Sequence, residues 1–228
     1  MKKITAILFF ATGLFAFSAQ AQIKLNHLEA GISYWNRSYS DLDERAFLMN
    51  YEEDSDFTKG GVIPHIGAEV NLYKGLALDG RVGFWTGDFS QKVTFGGGLV
   101  ISESIDQTII PVSLGLVYNF DGVFNEAINL FAGAGLNRYF IQNKVERTST
   151  EGGNSSDSFN GNNYGANFKA GAEYLLNSNF GLALEAGYNT GSYNQNYQAD
   201  TDSQKESYEV SVQGLEVGLS LRYRFSAQ

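Results

Sequence analysis

The sequence predicts an all-β fold, an eight-stranded antiparallel up-and-down transmembrane β-barrel, on three observations. Eight segments alternate apolar and polar residues with the period of a strand, their connections alternate between short and long, and the chain opens on an export signal. Composition agrees: 26 Gly, 13 Tyr and 17 Phe against only two Pro favour strands and turns over helices.

The export signal sets the domain organisation. Met1-Lys2-Lys3 supplies a positive start, Ile4 to Phe17 is an apolar run too short to cross a bilayer as a helix, and Ala19-Gln20-Ala21 is a small-x-small cleavage site. Residues 1–21 are therefore expected to be a signal peptide and residues 22–228 a single barrel domain. The signal removes two of the 16 basic residues and none of the 25 acidic ones, so 14 bases face 25 acids and the net charge is −11. Such an acidic chain is a poor partner for nucleic acid. With no Cys, it has no disulfide, thiolate metal site or cysteine nucleophile.

The first strand opens near Leu25, with Leu28, Ala30, Ile32 and Tyr34 on one face and Glu29, Gly31, Ser33 and Trp35 on the other. The second, residues 61–73, sets Val62, Pro64, Ile66, Ala68, Val70 and Leu72 against His65, Gly67, Glu69 and Asn71. Lys74-Gly75 then reads as a tight turn. The third, about 76–86, places Leu76, Leu78, Val82 and Phe84 opposite Asp79, Arg81, Gly83 and Trp85. The fourth, about 108–120, carries Ile110, Val112, Leu114, Leu116, Tyr118 and Phe120 on its apolar face. The fifth, near 128–140, carries Ile128, Leu130, Ala132, Ala134 and Leu136; the sixth, near 163–175, carries Tyr164, Ala166, Phe168, Ala170, Ala172 and Tyr174. After a turn at Asn177-Ser178-Asn179, the seventh, about 180–190, shows Leu182, Leu184, Ala186 and Tyr188. The eighth runs through Leu215, Val217, Leu219, Leu221, Tyr223 and Phe225, and the broken parity at Val210 and Val212 predicts a bulge or strand start near Gln213-Gly214.

Connections after strands two, four and six are short, near residues 74, 121–127 and 176–179, whereas those after one, three, five and seven are expected to run to about 15 to 25 residues. Ser38 to Gly60 is acidic, Lys144 to Asn163 is rich in Gly, Asn and Ser, and Asn194 to Glu209 is rich in Gln, Asn and Asp. Long polar loops on one side and tight turns on the other are the pattern of an outer-membrane barrel, with the long loops external.

A soluble barrel alternates too, so the two faces must be told apart. Glu29, Glu69, Asp79, Arg81, Lys169, Glu173, Glu185, Glu216, Arg222 and Arg224 all fall on the non-apolar face, while Tyr and Phe bracket the apolar stretches at both ends. Ring-buried, hydroxyl-wet Tyr at the ends of an apolar band is an interfacial girdle, which puts lipid outside and charge inside. Six acids and four bases interleaved with Gly then predict a salt-bridged structural plug, with Glu29 and Arg222 paired at similar depth.

The last strand, with Val217, Leu219, Leu221, Tyr223 and Phe225 at every second position, looks like the C-terminal assembly signal of outer-membrane barrels. Together with the eight segments over residues 25–225, the chain resembles the OmpA/OmpX-like outer-membrane β-barrel families of Gram-negative bacteria. The resemblance implies an outer-membrane location, a lipid surround, and recognition by the barrel-assembly machinery during biogenesis.

Chemistry is sparse. A barrel enzyme resembling the lipid A deacylase would need His-x-Ser, but His27 is followed by Leu28-Glu29 and His65 by Ile66-Gly67. Both histidines read as structural. Asp41, Asp43, Glu44, Glu52, Glu53, Asp54 and Asp56 crowd the first loop without the spacing of a calcium loop, so they are expected to be a solvated acidic face. Gly96-Gly97-Gly98 is a loop and not a phosphate cradle. The sequence thus predicts a barrel with no enzymatic activity, cofactor or metal site, whose long loops serve the envelope or meet an external ligand or protein. A narrow, porin-like channel or small-ligand carrier is the second reading, and a lipid-modifying barrel enzyme the third.

Overall fold

The computed structural model describes residues 24–37, 60–197 and 206–225. The expected signal peptide, the acidic loop up to residue 59 and the centre of the Asn194–Glu209 loop lie outside them. Eleven strands are described: β1 (Lys24–Arg37), β2 (Gly60–Tyr73), β3 (Leu76–Gly83), β4 (Trp85–Thr94), β5 (Val100–Asn125), β6 (Ile128–Ser149), β7 (Ser155–Leu175), β8 (Phe180–Asn189), β9 (Ser192–Tyr197), β10 (Glu206–Ser211) and β11 (Gly214–Arg224).

They make eight staves, because β4 continues β3 past Phe84, β9 continues β8, and β10 precedes β11. Antiparallel ladders follow the order β3-β2-β1-β11-β8-β7-β6-β5, and β3 pairs with β5 to close the ring. Closure joins the first stave to the last: Glu29 lies opposite Arg222, and Ile32 opposite Leu219. A closed ring leaves no open edge in the membrane, where an unpaired backbone group is costly.

Burial follows the pleat. In β11 every second residue is buried while Leu215, Val217, Leu219, Leu221 and Tyr223 are exposed. Large apolar side chains cover the outside, with Ile66 and Leu136 each 66 % exposed, and a surface so apolar is stable only in lipid. Aromatic girdles bound this band. At one end stand Tyr118, Phe120, Tyr174, Phe180, Tyr223 and Phe225, and at the other Tyr34, Phe84, Phe140, Tyr164 and Tyr188. The ten-residue interval from Tyr164 to Tyr174 spans about 25 Å at the usual strand rise and tilt, the height of an outer-membrane apolar belt.

The tight connections share one end, here the turn end. Lys74 (φ 41°) and Gly75 (φ 84°) take the left-handed conformation that a two-residue hairpin demands. At the opposite, loop end the structure corrects the expected connections. β6 continues to Ser149 and β7 starts at Ser155, so the loop read as Lys144 to Asn163 shrinks to residues 150–154. Likewise β4 and β5 leave only residues 95–99 between them, with Gly96-Gly97-Gly98 at the tip. On the turn side, the connection expected at 121–127 narrows to 126–127 after an irregular register between Phe120 and Asn125. The break in the last stave falls at Val212-Gln213, where its parity changes.

The reason for the longer staves is that the ladders continue after the outward face has turned polar. Beyond Phe140, β6 points Gln142, Lys144 and Glu146 outward and buries Ile141 and Asn143, still paired with β5. Water replaces lipid outside, so the outward apolar signal ends while the strand goes on.

Candidate functional site: the barrel interior

Inward positions form tiers along the barrel. At the turn end lies the charged tier, in which every carboxylate is 7 % exposed or less. Its geometry follows from the seam between β1 and β11: Arg222 Nε lies 3.2 Å from Glu29 Oε2, and its Nη1 is 3.8 Å from Glu173 Oε2. Arg224 also reaches Glu173, at 3.0 Å, while the Arg222 guanidinium rests 4.3 Å from the Phe131 ring centroid. Lys169 Nζ crosses the lumen to Asp79 Oδ2 at 2.7 Å. Arg81 joins Glu185 and, at 3.1 Å, Glu216. Glu216 also accepts from Ser33 at 2.6 Å and Asn189 at 2.7 Å, and Glu69 accepts from Asn26 at 2.5 Å and Asn119 at 2.8 Å.

All ten charged residues singled out in the sequence therefore face the interior; nine of them meet in these ion pairs, while Glu69 is held by the two amides and lies beside His27. Small residues make the room: a Cβ at Gly67 would lie 2.9 Å from Glu29 Oε1 and the same distance from a β3 carbonyl. Charges so far from water are tolerable because each guanidinium meets a carboxylate, and each carboxylate meets a cation or, at Glu69, two amide donors.

Above them is an amide tier. Asn137 donates to Asn189 Oδ1 at 2.8 Å and to the Tyr139 hydroxyl at 2.7 Å, and accepts from Asn167 at 2.6 Å. Next comes an apolar plug of Trp35, Ile63, Trp85, Ile109, Tyr139, Ile141, Tyr193 and Val212, with Phe159 packed against it. Trp35 stacks on Tyr139 (centroids 6.2 Å apart, 12° between planes) and meets Trp85 edge-on at 6.3 Å. Arg37 caps the plug, 4.8 Å from the Trp85 ring, donating to Gln107 Oε1 at 2.5 Å and the Ser211 carbonyl at 3.0 Å. Towards the loop end, Arg147 donates to the buried Glu103 carboxylate at 2.7 and 3.0 Å.

The sequence reading did not single out this plug. Its signal was present, since Trp35, Ile63, Trp85, Ile109, Tyr139 and Ile141 are apolar residues on the otherwise polar parity, clustered at one end of their strands.

No catalytic constellation emerges among the described residues. His27 is buried between Glu29 and Glu69, 3.7 and 3.8 Å away, with no serine hydroxyl as partner. His65 and Ser220 both approach Gly31, but the Ser220 hydroxyl makes no hydrogen bond to the imidazole, and both residues are buried. No cluster of metal-ligating side chains occurs among the described residues; the acidic first loop falls outside them. At the turn end an opening of about 880 Å³ is lined by Lys24, Asn26, Asn71, Asn179 and Arg224 together with the outward-facing Leu25, Tyr223 and Phe225. The assembly-signal residues Val217, Leu219, Leu221, Tyr223 and Phe225 all point outward, and Tyr223 packs edge-on against Phe180 and Phe225.

Comparison with known proteins bears on the fold. The chain matches the family model described as outer membrane protein beta-barrel domain over residues 7–226. No curated protein matches it. Among solved structures it is similar to the outer membrane protein OprG from Pseudomonas aeruginosa, at 12% identity and a TM-score of 0.60, covering 89% of this chain and 96% of that one. Neisserial surface protein A is 14% identical, with a TM-score of 0.49 over 87% of this chain and 96% of its own. The outer membrane protease OmpT from Escherichia coli is 9% identical, with a TM-score of 0.41 over 90% and 96%. At such identities the likeness extends to the fold alone.

Proposed function

This chain belongs to the outer membrane β-barrel protein family, and from that premise we propose that it is a non-enzymatic barrel closed along its axis, which holds its loops at the cell surface in an envelope or surface-interaction role. The loop end faces the exterior and the turn end the periplasm, as short turns and extended loops do in such barrels.

The observation that carries this reading is the filled interior. The tiers stand in series between the two ends, and Arg222 of the charged tier and Tyr139 and Trp35 of the apolar plug are 2 %, 0 % and 1 % exposed. An eight-stranded ring is just wide enough for side chains to fill it, and these do so. The ion pairs act as a scaffold that holds the staves in register, and the aromatic plug continues the scaffold beyond the lipid. Buried histidines without a nucleophile in hydrogen-bond reach support the absence of catalysis.

Conductance tests the reading. Protein reconstituted in planar bilayers is expected to give no stable single-channel current at moderate voltage. A steady, reproducible current from the unaltered barrel would instead favour the narrow channel. Altered lipid A in a strain lacking the protein, restored by the intact gene but not by a His65→Ala version, would favour the lipid-modifying enzyme.

A further inference from the structure

The outward face of the described residues, followed from the girdle at the turn end up to Phe140, carries one charged side chain. It is Arg138 on β6. Register places it opposite Val112 of β5 and Tyr164 of β7, with Leu136 one step below on the same face and Phe140 one step above. It therefore sits in the aromatic girdle nearer the loops, pointing at lipid. At that height a cation costs little, and the groups it can meet outside the barrel are lipid headgroups.

Its position is held rather than splayed into water. The guanidinium lies 4.1 Å from the Tyr164 ring centroid and 5.8 Å from that of Phe140, and it donates to Asn162 Oδ1. All three partners are neutral. Arg81, Arg147, Arg222 and Arg224 each hold a carboxylate, whereas no carboxylate among the described residues pairs with Arg138. Stacking on a ring face leaves the in-plane N–H groups not used by Asn162 open to an acceptor, and a planar guanidinium fork matches two oxygens of a phosphate. Just above, the outward positions are amides: Asn162 opposite Phe140, and Asn160 opposite Gln142. Amides at that height suit the hydroxyls of a sugar headgroup.

We propose that Arg138, cradled by Tyr164 and Phe140, binds the phosphate of a phosphorylated glycolipid in the outer leaflet, with Asn160, Asn162 and Gln142 taking its sugar hydroxyls. The assignment of leaflet rests on the orientation proposed above. The site adds a specific lipid to the general lipid surround of a barrel, and it ties the β5–β6–β7 wall to the outer leaflet.

The test uses the barrel in nanodiscs of phosphatidylcholine doped with bisphosphorylated lipid A or its dephosphorylated form, with retained lipid read by native mass spectrometry. The expected result is retention of the phosphorylated form at least tenfold above the dephosphorylated one. Arg138→Gln should lower that retention about tenfold and Arg138→Lys less, with the folded barrel's electrophoretic mobility unchanged. Should Arg138→Gln not fold, Tyr164→Leu removes the cradle alone and is expected to weaken retention several-fold. Equal retention of the two glycolipids, or no loss in the variants that fold, overturns the site. Displacement by millimolar inorganic phosphate overturns the lipid as occupant. Protease added to whole cells reports orientation independently: a periplasmic loop end with phosphorylated-lipid retention intact would sink the leaflet assignment and the proposed surface role, and spare the phosphate site.

Discussion

The membrane-embedded half of the barrel and the half that rises beyond the lipid are built on the same ladders with their surfaces exchanged. In the lower half Leu, Ile and Val face outward and Glu, Asp, Arg and Lys face inward; in the upper half Gln142, Lys144 and Glu146 face outward and Trp35, Trp85, Tyr139 and Ile141 face inward. The backbone does not register the change, since β5 and β6 stay paired from Ile101–Ser149 down to Phe120–Leu130. Which face is apolar is thus dictated by the medium outside, and the hydrogen-bonded cylinder is indifferent to it.

The hardest way to break the comparison is to open the charged tier. Arg222→Ala leaves Glu29 and Glu173 without their shared cation, and is expected to cost about 3 to 5 kcal/mol if the site is dry. Urea titration of folding into bilayers measures it. A cost near 1 kcal/mol or less would mean that water reaches the tier, as for an exposed pair.

A smaller effect sharpens the boundary between the halves. Leu114→Arg, on the outward face of β5 among lipid, is expected to cost about 2 to 4 kcal/mol, while Gln142→Arg, outward on β6 above the girdle, should change stability by no more than about 0.5 kcal/mol. Equal costs for the two in bilayer folding titrations would erase the distinction between outside-lipid and outside-water. The least perturbing probe is proteolysis of whole cells. Cleavage should fall within residues 150–154 and spare 144–149, because the latter are paired in β6 while the former carry Gly152 and Gly153 at a tip. Cutting throughout 144–149 would mean that the upper staves open.

What the sequence revealed follows the same division. The eight staves, the hairpin at Lys74-Gly75 and the inward face of all ten charged residues were legible because outward apolar alternation is loud inside lipid. The upper staves were illegible by the same criterion: Ser102, Ser104 and Asp106 on β5 face water, so a polar strand there reads like a loop. The aromatic plug was hidden for a related reason. Trp35 and Trp85 stand on the parity assigned to charge, and only the ring closure shows that they meet each other and Tyr139. Glu29 and Arg222 could be paired from sequence because strands one and eight must be neighbours in a closed barrel. The link from Lys169 to Asp79 crosses the lumen between non-adjacent staves, and no strand register predicts it.

The seam between β1 and β11 also governs the order of events in assembly. Glu29 and Arg222 are separated by 193 positions along the chain, so their clasp joins the beginning of the barrel to its end. Until the eleven residues of β11 are in place, β1 and β8 remain two raw edges, each a template for pairing with another molecule. Loop closure over that distance must come before the contact that rewards it, which makes folding slow and the unfinished sheet adhesive. The barrel therefore acquires its resistance to aggregation all at once, when its last strand is laid down, and a chain shortened by one stave would lose that protection entirely instead of by an eighth.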